Sequence, residues 1–537
     1  MNIRHGWIEC EFNKRLYDIN NKMIEKNLNS DSNQSNYRGY GLDVHRIVFP
    51  VITTIIILFI SITLIFPEIA GNAFTEFRLW LTSRFDWVFI ITTNILLLFC
   101  LILAITPAGK IRLGGQDSKP EFSRLSWFSM LFAAGLGIGL MFFGVYEPVN
   151  HFLSPPLGIN PEQIALAREM AMSASIMHWT LHPWALYSFV GLALAFFSYN
   201  KKLPLSVRSV FFPFFKEKIW GWQGHVVDVL ALFATIFGIA TSLGIGAEQS
   251  MAGINYLFGF ELNSKNIIIV IITITLVALF SVLRGLNAGI KKLSEINIFL
   301  AVCLCLFIFL SSSALEIIQN SISYTVDFLR NLPALSNWID RSDSDFLHGW
   351  TVFYWAWWIS WSPFVGMFIA RVSRGRSIRE FLVGTIIFPS IISVIWLTLF
   401  GDNAINQFLS EGNRNVIDTI QNQSPEMSIY RFLEGFPFSE ITSLVAITLI
   451  CIFFITSMDS GALVIDTIAS NGKTNTPVRQ RILWCLLIGL IAVALTLSGG
   501  LGALQSMALA TAFPFCFILL SMCISTSIGI YQEKDQL

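Results

Sequence analysis

The sequence predicts an all-α membrane protein with twelve transmembrane helices, and three observations support this fold class. The 537 residues are 54% hydrophobic and only 13% charged, about half the charged fraction of a typical soluble domain. Apolar runs of about 20 residues, long enough to cross a bilayer as helices, recur along the chain. Basic residues collect in every second segment between these runs, as expected of cytoplasmic loops.

The same composition excludes several classes of protein. The 35 basic and 35 acidic residues give a net charge of zero, so nothing favours a nucleic-acid partner. The first 46 residues are polar and of mixed charge, and they lack the short apolar core of a cleavable signal peptide. We therefore expect a multi-pass protein in the lipid bilayer of the plasma membrane, with both termini cytoplasmic. In a Gram-negative source this would be the inner membrane.

Ten apolar runs each predict one span. They are Ile47–Pro67, Trp87–Pro107, Ser126–Tyr146, Ser173–Tyr199, Val229–Ala247, Asn266–Leu283, Ile296–Leu315, Phe346–Ala370, Leu382–Gly401 and Ile441–Met458. The uncharged stretch Ile482–Gln532 is too long for one crossing. Turn-forming residues at Ser498–Gly502 predict that it folds into two.

Helix-breaking residues are concentrated in spans three and eight, which lie five spans apart. This is the pattern of membrane proteins built from two inverted five-span repeats with a binding site between them. The predicted organisation is a cytoplasmic tail (1–46), two peripheral helices (47–125), a first repeat (126–315), an external segment (316–345), a second repeat (346–530) and a short tail (531–537). The external segment has apolar residues at helical spacing, so an amphipathic helix and a plain loop both remain open.

Gly135, Gly137 and Gly139 alternate along span three and do not share a helical face. We interpret them as an unwound hinge segment, whose free carbonyls at Ala133 and Leu136 suit a small alkali cation. A dinucleotide-binding loop would need a preceding strand, and none is predicted here.

Aromatic residues gather in spans four and eight. Trp179, Trp184 and Tyr187 fall on one broad face of a continuous helix, and Trp358 and Trp361 form a second ridge three residues apart. Cages of such rings bind quaternary ammonium groups. An interfacial aromatic belt would also collect tryptophans, although nearer the span ends.

Polar side chains within spans suggest two further sites. Thr456 and Ser457 in span ten offer hydroxyl oxygens to an alkali cation, or they bond back to their own helix. His178 and His182 have the spacing of metal ligands, but no third ligand is apparent. We therefore expect no catalytic residues and no metal beyond sodium.

Four motifs carry a family resemblance. The segments Met141–Pro148, His178–Trp184, Trp350–Trp358 and Gly366–Arg376 resemble those of the betaine/carnitine/choline transporter family. The resemblance implies a transporter and not an enzyme. It also implies a LeuT-type 5+5 inverted repeat preceded by two extra helices, often assembled as a homotrimer.

The resemblance also implies site residues. The substrate cage would comprise Trp179, Trp184, Tyr187, Trp358 and Trp361. A sodium site would comprise the carbonyls of Ala133 and Leu136 with Phe453, Thr456 and Ser457. A second sodium site would use Thr235, but the hydroxyl expected one turn later is replaced by Ile239, for which Thr241 and Ser242 are substitutes.

The resemblance and the charge pattern together predict how transport is driven. The glycine run is complete, and span five carries no Lys or Arg that could place a fixed positive charge where sodium would bind. A mobile ion must therefore supply that charge. This favours sodium-coupled import of a quaternary-ammonium osmolyte, with no other cofactor. Gly139 brings no acid into the glycine run, which favours a zwitterion such as glycine betaine.

Several alternatives remain open at this point. The substrate could instead be choline, carnitine or the sulfonium dimethylsulfoniopropionate, with proton coupling or exchange. More remote alternatives are a membrane receptor that senses the same ligand and an enzyme acting through His178 and His182.

Overall fold

The computed structural model describes residues 36–135, 137–284 and 290–534, and this part of the chain is almost entirely helical. The long helices are α1 (Val48–Ile65), α2 (Pro67–Ile105), α3 (Arg124–Gly135), α4 (Ile138–Leu153), α5 (Ile164–Trp179), α6 (Leu181–Ala195), α8 (Trp222–Phe258), α9 (Ser264–Arg284), α10 (Ile290–Ser311), α11 (Ala314–Leu335), α13 (Val352–Val372), α14 (Ile378–Leu397), α18 (Ser439–Ala469) and α19 (Val478–Lys534). Short helices are α7 (Phe212–Phe215), α12 (Ser344–Phe346), α15 (Asn403–Glu411), α16 (Asn415–Gln421) and α17 (Ser428–Leu433).

Nine helical stretches in the described ranges are long and apolar enough to cross a membrane. They are Val48–Ile65, Pro67–Ile105, Ile164–Asn200, Trp222–Phe258, Ser264–Leu283, Lys292–Ser311, Ile378–Glu411, Ser439–Ala469 and Val478–Glu533. Predicted spans three and eight are not among them. Span three is broken between α3 and α4. Span eight corresponds to α13, whose many tryptophans make it less apolar than the other spans. A helical membrane protein is confirmed, while the count of twelve stays a prediction.

Two long helices differ from the predicted boundaries. Helix α2 begins at Pro67, so residues 68–86 are helical where a loop was expected. Proline is favoured at the first position of a helix because its missing N–H would have no partner there. Non-helical angles at Phe85 mark a kink inside this helix. Helix α19 is interrupted at Gly499 and Gly500, within the predicted turn, and Gly500 has a φ of 55°.

Burial separates a central group of helices from a peripheral one. The most apolar window of Ile164–Asn200, which contains α5 and α6, is 94% buried, whereas that of Lys292–Ser311 is 22% buried. Helix α13 packs against α6, α8 and α19, and α8 also packs against α18. These contacts bring the sequence-predicted site segments of α5, α6, α13 and α18 into one core.

The segment between spans seven and eight is helical over Ala314–Leu335, so a helix and not a plain loop is present, while its place outside the membrane stays a prediction. Ile317 and Phe328 are buried, and α11 packs along α5. Ile318, Ile322 and Leu329 are exposed on the same helix. Its apolar face is therefore only partly covered within one chain.

A β-hairpin precedes α1 and was not predicted within the polar tail. Strand β1 (Asn36–Gly39) pairs antiparallel with β2 (Leu42–His45). Asp43 bonds Lys473 at 2.9 Å, and its N–H donates to Gln480 Oε1 at 2.6 Å. Burial opposes ionisation of Asp43, but hydrogen bonds from Asn36 and Lys473 outweigh it and lower the pKa of this carboxyl. The hairpin is thereby tied to the segment joining α18 and α19.

Candidate functional site

The predicted break in span three lies between α3 and α4. Helix α3 ends at Gly135, Gly137 is extended with a φ of −135°, and α4 begins at Ile138. Leu136 lies outside the described residues. The prediction of an unwound segment therefore holds for Gly137, and α3 includes the backbone of Ala133.

Gly139 is not part of this break, so the prediction that it is unwound is wrong, while its role as a hinge stays a prediction. It lies in the first turn of α4, facing the rings of two tryptophans. A Cβ at this position would lie 3.0 Å from Trp179 Cζ3 and 3.2 Å from Trp357 Cη2. The absence of a side chain is what lets both rings approach the helix.

Span four is also broken, which the sequence analysis missed. Helix α5 ends at Trp179, α6 begins at Leu181, and Thr180 between them has non-helical angles. Pro183 explains the break, because a proline ring clashes with the carbonyl four residues earlier, here that of Trp179. Trp179 and Tyr187 consequently do not belong to one continuous helical face, and their proximity depends on packing against α13.

Helix α13 contributes three indoles that are held in place by hydrogen bonds. Trp358 Nε1 donates to the His178 carbonyl at 3.0 Å, and Trp361 Nε1 donates to the Gly238 carbonyl at 2.8 Å. Trp357 stacks on Trp358 with ring centroids 4.9 Å apart and an interplanar angle of 11°. The ring positions are therefore fixed relative to α5 and α8.

These rings enclose a small hollow at the centre of the bundle. Trp179 meets Trp358 edge to face at 4.9 Å, and Tyr187 meets the same ring at 6.2 Å. The lining residues are Gly137, Ile138, Gly139, Trp179, Tyr187, Ser242, Trp357, Trp358 and Trp361. The hollow measures about 20 Å³, room for about one water molecule. The rings face one another and not the outside of the bundle, which is contrary to an aromatic belt.

The predicted aromatic set and the observed lining differ at two positions. Trp184 is buried and contacts Tyr187 at 5.7 Å, but it is not one of the residues that line the hollow. Trp357 lines the hollow and was missed, because neighbouring residues on a helix do not normally face the same site. Ser242 was predicted as a substitute sodium ligand, but its hydroxyl lines the hollow and accepts Trp357 Nε1–H at 3.1 Å.

Helix α18, which carries the predicted sodium ligands, contacts α4. A Cβ on Gly246 of α8 would lie 3.1 Å from Ile138 Cδ1 and 3.1 Å from Phe454 Cδ2, so the first residue of α4 and a residue of α18 approach the same point on α8. The half-buried Thr456 hydroxyl donates to the carbonyls of Ile452 and Phe453 at 2.9 and 3.1 Å. Its lone pairs stay available, because a donating hydroxyl can still accept or coordinate.

The residues of the second predicted sodium site make contacts within the protein. Thr235 donates to the Ala231 carbonyl at 2.7 Å, and Thr241 donates to the carbonyls of Phe237 and Leu504. Ile239, which stands where a hydroxyl was expected, is buried against Gly461. An apolar contact therefore holds α8 to α18 at this level.

A buried carboxylate beside the hollow was missed. Glu147 in α4 is fully buried and accepts hydrogen bonds from Trp179 Nε1 at 2.7 Å and from Tyr354 Oη at 2.5 Å. Its Oε1 lies 2.6 Å from His178 Nδ1 and 3.4 Å from His151 Nε2. Glu147 was placed just beyond the end of predicted span three. The apolar run that continues after it was the available signal that the residue lies within the membrane-spanning part of the chain.

The two histidines whose spacing is that of metal ligands, His178 and His182, have different partners. His178 joins Glu147 and His151, whose candidate ligand atoms all lie within 4.8 Å of one another. His182 instead bonds Asn94 at 3.1 Å and stacks on Trp355. The break at Thr180 separates the two histidines onto different helices, so helical spacing does not apply to them.

The family comparison agrees with the resemblance drawn from the motifs. A family model described as BCCT, betaine/carnitine/choline family transporter, matches residues 47–535. The chain is 46% identical over 509 residues to a glycine betaine/proline/choline transporter of Vibrio parahaemolyticus, covering 92% of this chain and 91% of that protein. It is 46% identical over 510 residues to glycine betaine transporter 1 of the same organism, covering 94% and 97%. It is 42% identical over 477 residues to a glycine betaine transporter of Acinetobacter baylyi, covering 89% and 72%.

Proposed function

Because the chain belongs to the betaine/carnitine/choline transporter family, we propose that it imports a quaternary-ammonium osmolyte, with glycine betaine as the principal substrate, by sodium-coupled symport. The chain is a multi-pass membrane transporter and not an enzyme. The substrate, the coupling ion and the direction of transport are the parts that are proposed here.

The observation that carries the proposal is the aromatic hollow. A trimethylammonium head cannot donate hydrogen bonds, so ring faces are better partners for it than a polar pocket would be. Trp179 and Tyr187 both meet Trp358 edge to face, and all three rings line the hollow. The hollow of about 20 Å³ is too small for the head group, so these rings must move apart to admit it. Such a movement would accompany alternating access.

Sodium coupling is supported by the hydroxyls of Thr456 and Ser457 on α18, a helix that contacts α4, and α4 begins directly after the break at Gly137. Hydroxyl and carbonyl oxygens are the ligands that hard cations prefer. An ion held jointly by α18 and the broken span would favour the conformation in which these two elements meet. That conformation also places Gly139 against Trp179, and this contact would link the ion to the substrate.

Uptake into proteoliposomes tests this proposal directly. We expect saturable uptake of radiolabelled glycine betaine under an inward sodium gradient, and little uptake when potassium replaces sodium. Binding without uptake would favour a receptor. Uptake that follows a proton gradient and ignores sodium would contradict sodium coupling while leaving the substrate assignment intact.

The substrate range is a second question, because one similar protein is named for glycine betaine, proline and choline together. Competition of labelled betaine uptake by choline, proline, carnitine and dimethylsulfoniopropionate would rank these compounds. We expect the methylated onium compounds to compete best, since proline carries no methylated nitrogen for the rings to surround.

The architecture of the functional unit is also proposed. We infer twelve spans arranged as two inverted five-helix repeats (126–315 and 346–530) after two peripheral helices (47–125). We also infer cytoplasmic termini, a plasma or inner membrane location and a homotrimer. The partly uncovered apolar face of α11 supports self-association. Accessibility labelling of single cysteines would test the topology, and the mass of the detergent-solubilised particle would test the trimer.

A further inference from the structure

Glu147 presents a carboxylate in the core of the bundle without a Lys or Arg among its hydrogen-bonding partners in the described part of the chain. Its partners are an indole N–H, a phenol O–H and an imidazole nitrogen. Burying a carboxylate is costly unless hydrogen bonds replace its water. An ionised carboxylate only accepts hydrogen bonds, and the two donors that converge on Oε2, the Trp179 indole N–H and the Tyr354 hydroxyl, favour that form.

The partners of Glu147 are also the supports of the hollow. Trp179, which donates to Glu147, is one wall. His178, on the other carboxylate oxygen, provides the main-chain carbonyl that accepts from Trp358, a second wall. Tyr354 stacks on Trp358 at 5.8 Å and lies edge-on to Trp179 at 5.4 Å. One carboxylate thus fixes the orientation of two walls through three side chains.

The Trp179 ring is held from two sides. Its Nε1 edge donates to Glu147, while its far edge rests on Gly139. A hydrogen bond from the indole to an anion also polarises the ring and makes its face more negative. Both effects strengthen the attraction between the ring and a cationic head.

We propose that Glu147 is the positioning residue of the aromatic hollow: through Trp179 and His178 it sets the geometry and the negative potential of the walls, although it does not itself line the hollow. This inference rests on the proposed onium substrate. It adds a specificity-determining residue, because a buried anion behind one wall contributes more to the binding of a net cation such as choline than to that of a zwitterion such as glycine betaine.

The test is equilibrium binding of radiolabelled glycine betaine and choline to purified, reconstituted protein. Glu147→Gln keeps the shape of the side chain and removes its charge. We expect it to weaken binding about tenfold, which is the typical effect of losing a hydrogen bond to a charged group. Choline should lose more affinity than glycine betaine. Asp466→Asn is the matched control, because Asp466 is a fully buried carboxylate that accepts from Gln480 and Thr476 near the hairpin.

A second pair of variants decides the question if Glu147→Gln does not fold. Tyr354→Phe and Tyr430→Phe each remove one fully buried hydroxyl that donates a hydrogen bond, to Glu147 and to the Gln249 carbonyl respectively. We expect about threefold weaker binding for Tyr354→Phe and no change for Tyr430→Phe. Equal affinities within either folded pair, or a loss of thermal stability without a loss of affinity, would overturn the proposal.

A spectroscopic measurement separates this inference from the proposed function. The indole ¹⁵N–H signal of Trp179, assigned by its absence in Trp179→Phe, should shift in Glu147→Gln without any substrate, because the charged acceptor of its hydrogen bond is replaced by a neutral one. If the parent protein binds no onium compound, the proposed function fails and this signal still reports the contact. If the parent binds and the signal does not shift, the positioning role fails alone.

Discussion

The aromatic hollow and the hydroxyl-bearing segment of α18 are the two regions that transport must couple, and they are built in opposite ways. In the hollow, the indoles of Trp357, Trp358 and Trp361 donate to acceptors on other helices. In α18, the Thr456 hydroxyl donates within its own helix. The rings are therefore fixed by tertiary contacts, and the hydroxyl is fixed by local ones.

This difference determines how far the effect of a substitution spreads in each region. A substitution near the hollow changes the positions of several rings at once, so its effect should appear in substrate affinity. A substitution of the α18 hydroxyl leaves neighbouring side chains in place, so its effect should be confined to the ion.

The largest effect is expected from Trp358→Leu. The variant removes the ring that Trp179, Tyr187 and Trp357 all contact, together with its hydrogen bond to His178. With about 0.5–2 kcal/mol for each ring–cation contact and further loss from disordered neighbours, saturable betaine uptake should disappear. Expression should remain normal, and concentration-dependent uptake is the measurement.

Trp222→Leu is the control for that variant, because Trp222 is 70% exposed at the start of α8. It should transport as the parent does. An unchanged KM in Trp358→Leu would refute the aromatic hollow as the substrate site.

The next prediction distinguishes two reasons for the glycine run: room for the neighbouring tryptophan rings, and flexibility of the backbone. Gly139→Ala places a methyl group against Trp179 and Trp357, and overpacking of about 1–3 kcal/mol should raise the KM for betaine about tenfold. Gly137→Ala meets nothing within 4 Å and keeps an accessible φ, so its effect on KM should be smaller. The reverse order would restore the hinge interpretation for the whole run.

A smaller and more selective effect is expected from Thr456→Ala. Removing one ligand oxygen should raise the sodium concentration for half-maximal uptake about fivefold, with uptake at saturating sodium preserved. Thr448→Ala is matched to it, since Thr448 lies two turns earlier on α18, is half-buried like Thr456 and also donates to a carbonyl of its own helix. Equal sodium dependence of the two variants would contradict the ion site.

The contrast between local and tertiary contacts also explains how much of the fold could be predicted from the sequence. Apolar runs located the helices because crossing a bilayer sets a minimum length, and the glycine run located the break at Gly137. The break at Thr180 was missed although Pro183 marks it, since span four also reads as one continuous apolar helix. Local signals therefore place helices well and place breaks only when the breaking residue is not masked by the surrounding hydrophobicity.

The site was predictable to a similar degree. Trp179, Tyr187, Trp358 and Trp361 do line the hollow, because the aromatic-rich segments that carry them pack together in the core. Glu147 could not be assigned a role from sequence, since its partners come from α5 and α13 and only packing brings them together. Contacts between distant segments are what a single sequence encodes least directly.

The smallest effect is expected from Tyr187→Phe, and it distinguishes the ring from its hydroxyl. If the hollow attracts the onium head through ring faces, the phenyl ring should serve nearly as well, and the KM for betaine should change by less than about twofold. Tyr187→Leu removes the ring that meets Trp358 at 6.2 Å and should raise the KM about tenfold. If instead Phe and Leu are equally damaging, the hydroxyl is the recognising group. Tyr187 would then resemble Thr456 in its chemistry, and the contrast between a ring-lined hollow and an oxygen-lined ion site would not hold on this side of the hollow.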